Sequence, residues 1–133
     1  MTQPPLHELL ELSPLHAFIG QPEPLHALFE HVPEAMRCAF PENGVHPHAI
    51  HRMMVQLREV TQLRQETTTR VIATFSPLVI NELEGHEVSV VTRDALGELR
   101  VTRLDRTPGY SDRRKVYENG ELWLAYPEIE DHP

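Results

Sequence analysis

Proline is the feature that most constrains this chain. Prolines 14, 24, 33, 41 and 47 are spaced six to ten residues apart. Each lacks a backbone donor and clashes with the preceding helical turn, so no long helix can run through the first forty-odd residues. Short helices remain allowed, because proline at the first helical position has its φ already set and needs no donor there. Ser13 before Pro14 makes an N-cap, and Gly20 is placed to end the turns that follow. Pro24 opens a second short helix through about His31, with Leu25, Leu28 and Phe29 as its apolar stripe. Pro33 opens a third, "PEAMRCAF", and Pro41 and Gly44 then break the chain. The tripeptide Pro-Leu-His recurs at 5–7, 14–16 and 24–26, but spacings of nine and ten residues are too short for a solenoid repeat. His7, His16 and His26 are therefore expected at the boundaries of helix starts.

From Pro47 the pattern becomes one amphipathic run. Ile50, Met53, Met54, Leu57, Val60 and Leu63 recur at steps of three and four, which predicts a helix. Val71, Ile72 and Phe75 can continue the stripe. The β-branched Thr67–Thr69 between them make "TTTRVIATF" a possible strand instead. The helical periodicity on the N-terminal side favours helix, so a long helix is expected over 47–84, kinked or restarting at Ser76-Pro77 and ending at Gly85. An unbroken helix over 47–75 would be roughly 44 Å long. A domain of this size is only about 36 Å across, so the overhang predicts a partner helix and hence a homodimer.

After Gly85 the sequence turns to β. "HEVSVVTR" and "LRVTRLD" resemble strands joined at Asp94–Gly97, and Asn119-Gly120 between "RRKVY" and "LWLAY" is a strong hairpin signal. The expected fold is α+β: short N-terminal helices and one long helix packed on a C-terminal antiparallel meander of three or four strands over 87–126. An acidic tail, 127–133, follows. Both faces of "LWLAY" are apolar, so Trp123 needs cover from another element or subunit.

A length of 133 residues corresponds to a single domain with room for a core. Cys38 is the only cysteine, which excludes an internal disulfide and suggests a reducing compartment. Neither a signal peptide nor an apolar run long enough to cross a membrane is evident, so no membrane role and a cytoplasmic location are expected. Frequent Arg, Pro, Leu and His hint at a GC-rich bacterial source. The net charge of −8 is uneven: residues 1–50 carry six acids and one base, 93–115 carry seven bases and four acids, and 116–133 carry five acids and no base.

Three groups of residues invite a chemical reading. His48 and His51 are three apart at a helix start, with His46 just before them, a spacing able to co-ligate Zn²⁺ or another divalent transition metal. No second Cys/His pair accompanies them, and a polar, histidine-rich helix start with no metal is the plainer reading. Cys38 lies in the apolar context "AMRCAF", as a small core residue does, and nothing beside it would activate a thiolate. The basic segment offers Arg100, Arg103, Arg113 and Arg114, with Tyr117 and Trp123 near in sequence, as a partner-binding surface. Nucleic acid is a possible partner, but the overall charge opposes it.

GxGxxG, GxxxxGK[ST], GxSxG, HExxH and CxxC are all absent, and no catalytic residue is assigned. The expectation is a non-enzymatic interaction protein (adaptor, chaperone, inhibitor or immunity-type factor) without a cofactor. A nucleic-acid-associated regulator and a His-cluster metal protein are the alternatives.

Overall fold

A computed structural model describes residues 14–63, 70–115 and 117–122. Strand and helix alternate: β1 (Leu15–Gly20), α1 (Pro22–Phe29), β2 (Arg37–Ala39), α2 (Ile50–Leu63), β3 (Arg70–Thr74), α3 (Pro77–Asn81) and β4 (Val88–Arg93). They are followed by β5 (Leu99–Arg103) and the short α4 (Tyr110–Arg114). The five strands form one sheet in the order β2-β3-β1-β4-β5. The first four are mutually parallel, and β5 returns antiparallel to β4 through a turn at Asp94–Gly97.

Crossovers between parallel strands are almost always right-handed. The connection from β1 to β2 runs one way across this sheet, whereas β2 to β3 and β3 to β4 run the other way. α1 must then cover one face and α2 with α3 the other. Packing follows that rule. Ile50, Met54, Val79 and Ile80 join Leu15, Ala17, Ile19, Ile72, Val88 and Val90 in one core. Leu25, Leu28 and Val32 join Phe18, Val71, Ala73, Val91 and Leu99 in the other. Alternate residues of each strand thus serve opposite cores.

This is not the helices-then-meander fold expected from the sequence. All six residues of β1 are buried, so "LHAFIG" shows no alternation and its apolar run belongs to a strand covered on both faces. The same holds for "VIAT", which is strand β3 and not the continuation of α2. The long helix over 47–84 is therefore three elements, and α2 spans 14 residues, about 21 Å. Such a helix does not overhang its domain, which removes the overhang argument for a homodimer; the argument from the two apolar faces of "LWLAY" falls on residues 123–126, outside the described residues. Of the three Pro-started helices, only the second is present as an α-helix. Glu34–Met36 is a single 3₁₀ turn leading into β2. Thr67–Thr69, Trp123 and the tail lie outside the described residues.

The Asn-Gly hairpin is also absent, for a definite reason. Residues 119–122 are helical, and Asn119 is buried. Its amide donates to the Leu83 carbonyl at 2.7 Å and its carbonyl accepts from the Tyr110 hydroxyl at 2.8 Å. The Gly120 amide donates to Asn81 Oδ1 at 2.7 Å, and a Cβ on Gly120 would strike the Pro77 carbonyl oxygen. The dipeptide fastens the C-terminal segment onto α3 and does not turn a hairpin. Asn119→Ala leaves the Leu83 carbonyl and Tyr110 hydroxyl short of a partner, so a loss of about 2 kcal/mol in urea unfolding is expected.

Candidate functional site at the carboxyl edge of the sheet

Open, mostly parallel sheets bind ligands beyond the carboxyl ends of their strands, in the crevice where successive connections diverge. Here that crevice lies between the ends of β1 and β4. Gly20 closes β1 directly against its neighbour, since a Cβ there would collide with the Val91 carbonyl oxygen. α1 begins at once, with Pro22 and Pro24 in its first turn and no side-chain cap from Gln21. A helix start normally offers amide donors to an anion. Two of these are missing because the residues are proline, and Glu23 adds a carboxylate. Arg93, at the end of β4, clamps Glu23 through Nε and Nη2 at 2.6 and 2.9 Å and donates to the Gly97 carbonyl at 2.6 Å. The hydrogen bond from Arg93 holds the Glu23 carboxyl below its ordinary range. This solvent-exposed ion pair ties the start of α1 to the end of β4.

The ends of β2 and β3, on the same edge, are different. Phe40 takes a left-handed backbone conformation, φ 49°, unusual for a non-glycine residue. Its amide donates to the Ala73 carbonyl at 2.7 Å, and its ring lies 4.7 Å from that of Phe75. His26 meets the Phe40 ring edge-on at 6.1 Å. Phe75 and Leu78 are 41% and 45% exposed. Glu42 Oε2 accepts from the Phe75 amide at 3.4 Å, while its Oε1 is shielded from water with no hydrogen-bond partner among the described residues.

The histidines and arginines picked from the sequence do not converge. His46 Nδ1 accepts from the His48 amide at 3.2 Å and the two rings stack at 5.0 Å, whereas His51 pairs with Glu82 at 2.5 Å. Among the described residues no three His, Cys, Asp or Glu are grouped to hold a metal. Burial pushes the half-buried Cys38 thiol up, away from thiolate. Arg100 and Arg103 are three apart on β5 and so point to opposite faces of the sheet. Arg103 chelates Asp105 at 2.8 Å through both nitrogens, and Arg100 lies 3.7 Å from Asp94. On α4, Arg113 donates to the Pro108 carbonyl and Arg114 pairs with Glu118 at 3.3 Å. Tyr117 is half exposed. These cations are matched locally by acids or carbonyls and do not make one surface.

Two buried polar pairs escaped the sequence reading. His16 Nε2 lies 2.8 Å from Ser89 Oγ, with both residues fully buried. Burial drives the His16 pKa down to about 4. Arg58 on α2 grips the buried Glu87 with two hydrogen bonds of 2.7 and 2.8 Å, and Glu87 also accepts from the Glu84 amide at 3.0 Å. Both pairs join elements distant in sequence, and no local motif marks them. A strand assignment for "LHAFIG" would have placed His16 inside.

The architecture is that of an open, mostly parallel α/β sheet with an antiparallel edge strand. No protein-family model, curated protein or solved structure matches the chain. No helix among the described residues is long and apolar enough to cross a membrane.

Proposed function

We propose that this chain is a non-enzymatic protein-interaction module of the bacterial cytoplasm, acting as an adaptor, chaperone, inhibitor or immunity-type factor. One observation carries the reading. At the crevice where a sheet of this kind would take a nucleotide or other small molecule, Gly20 packs on the Val91 carbonyl and the Glu23–Arg93 ion pair ties the start of α1 to the end of β4. Exposed Phe75 and Leu78 on the same edge favour contact with a macromolecule. With α2 short, the overhang no longer supports a second copy, and the partner proposed is a different protein. The nucleic-acid alternative is weakened by the acids that already pair with Arg93, Arg103 and Arg114.

Ligand titration with thermal unfolding tests this. ATP, GTP, NAD⁺ and inorganic phosphate are each expected to leave Tm unchanged, since only a ligand that binds the native state raises it. A saturable rise with any of them would overturn the proposal. Duplex DNA is a further arm: binding that weakens steeply with salt would favour the alternative.

A further inference from the structure

We infer that Asn119-Gly120 is a site of covalent self-modification by deamidation, open to reaction only when the C-terminal segment lifts from α3, and that the product keeps the segment from closing again. The tripeptide Glu-Asn-Gly occurs twice in the chain, at 42–44 and at 118–120. In an Asn-Gly pair the glycine nitrogen can attack the asparagine side-chain carbon, because glycine carries no side chain to hinder the approach. The nitrogen gives up its proton to water and forms a bond to Cγ. The Cγ–Nδ2 bond breaks, and the leaving nitrogen takes up a proton and departs as ammonia. Water then opens the cyclic imide at either carbonyl. The product is aspartate, or its isomer in which the main chain runs through the side-chain carbon. Water is the only co-reactant.

The fold treats the two copies differently. Asn43 and Gly44 are exposed in a turn, and Gly44, at φ 79°, has nothing within 4 Å of where a side chain would begin. That turn is free to reach the cyclising geometry. Asn119 and Gly120 are buried in a helical turn. Cyclisation there requires rotation about the Asn119 Cα–C bond, out of the helical range. Three hydrogen bonds oppose it. The Asn119 carboxamide is held at both ends, by the Leu83 carbonyl and the Tyr110 hydroxyl, and the Gly120 amide is held by Asn81 Oδ1. Reaction at 119 must therefore wait for this segment to open locally, whereas Asn43 reacts in the folded chain.

The product cannot return to the same place. Aspartate has no amide to donate to the Leu83 carbonyl, and it puts a charge where Asn119 is only 2% exposed. The isomer lengthens the main chain by one carbon beside Gly120, whose surroundings have no room even for a Cβ. Either product draws Leu122 away from the core it shares with Val79 and Ile80. A segment that has opened is thus marked and held open.

The test is to incubate the full chain in mildly alkaline buffer, with and without concentrated urea, and to follow the amide-to-acid mass change in the peptide carrying each Asn-Gly. In urea the two sites are expected to react at similar rates. In the folded protein Asn43 should react at close to its urea rate, and Asn119 about a hundredfold more slowly than in urea. Tyr110→Phe removes one hydrogen bond from the Asn119 carboxamide and keeps the ring. It should speed reaction at 119 about fivefold and leave Asn43 unchanged. Asn119→Asp should lower the urea midpoint of the chain, whereas Asn43→Asp should not. The inference is overturned by equal rates at the two sites in the folded chain, or by a reaction at 119 that stays slow in urea. It is equally overturned by a Tyr110→Phe rate that matches the parent's, or by an Asn119→Asp protein as stable as the parent.

Discussion

Replacing Glu87 by alanine is expected to destabilise the protein by about 3 kcal/mol, because it strands the charged partner of a buried ion pair. Glu87 is buried, and its carboxylate takes two hydrogen bonds from Arg58 and one from the Glu84 amide. Alanine leaves the guanidinium and that amide without their acceptor. Arg58 is about a third exposed, so water recovers part of the loss and the low end of the usual range applies. Urea unfolding of Glu87→Ala measures the loss. The double variant Arg58→Met/Glu87→Leu should recover most of it, because it leaves no unpaired buried charge. A Glu87→Ala protein as stable as the parent would show that the pair contributes nothing. The pH dependence has a definite sign. Burial by itself would raise the Glu87 carboxyl, but its hydrogen bonds from Arg58 and Glu84 bring it below the ordinary range. Its stabilisation is therefore present above the ordinary carboxylate pKa and is lost as pH falls through the lowered one.

Acidification from neutrality is expected to destabilise the fold through His16. The imidazole protonates at 6.5 in the unfolded chain but at about 4 in the folded one, with burial the main cause. Glu87 and Asp105 favour its charged form, while Arg103 and His86 oppose it. Between those two pH values the unfolded chain binds one more proton than the folded chain, so stability rises with pH. The slope is about 1.4 kcal/mol per pH unit, for a total near 3 kcal/mol. Urea midpoints at pH 7, 5.5 and 4.5 should fall accordingly. The double variant His16→Leu/Ser89→Ala removes the titrating ring and its hydroxyl partner together, and its midpoints should stay level between pH 7 and 5.5 and fall less than the parent's by pH 4.5. Equal slopes in parent and variant would assign the acid sensitivity elsewhere.

These two pairs show where sequence reasoning stopped. The hairpin at Asp94–Gly97 was legible because turn residues and flanking alternation are local signals, and β4 and β5 form as antiparallel strands there. The Ser76-Pro77 start of α3 and the stripe from Ile50 along α2 were legible on the same grounds. β1 and β3 were not. A strand buried on both faces carries no period-two pattern, and "LHAFIG" after a proline looks the same as the start of a short helix. Asn119-Gly120 misled in the opposite direction. Its strong turn preference gave way to three hydrogen bonds made to residues at positions 81, 83 and 110.

The candidate site divides in the same way. Composition indicated a chain without nucleotide or metal motifs, with its acids and bases segregated along its length. It could not indicate that Phe40, Glu42 and Phe75 meet, because β2 and β3 become neighbours only when the sheet assembles. The arginines stood out in sequence because charge is countable there. Whether each faces an acid depends on strand parity and on the turns that bring Asp94, Asp105 and Glu118 alongside.

The amino-acid sequence alone determined where helices may begin, where the chain must turn and how its charge is distributed, since these depend on residues within a few positions of one another. Only the tertiary structure decided that the Pro-started segments alternate with parallel strands. It alone put His16 and Glu87 out of water, packed Gly20 on the Val91 carbonyl and left Phe75 partly in solvent. Each of those outcomes depends on contacts between residues tens of positions apart, and no local preference encodes them.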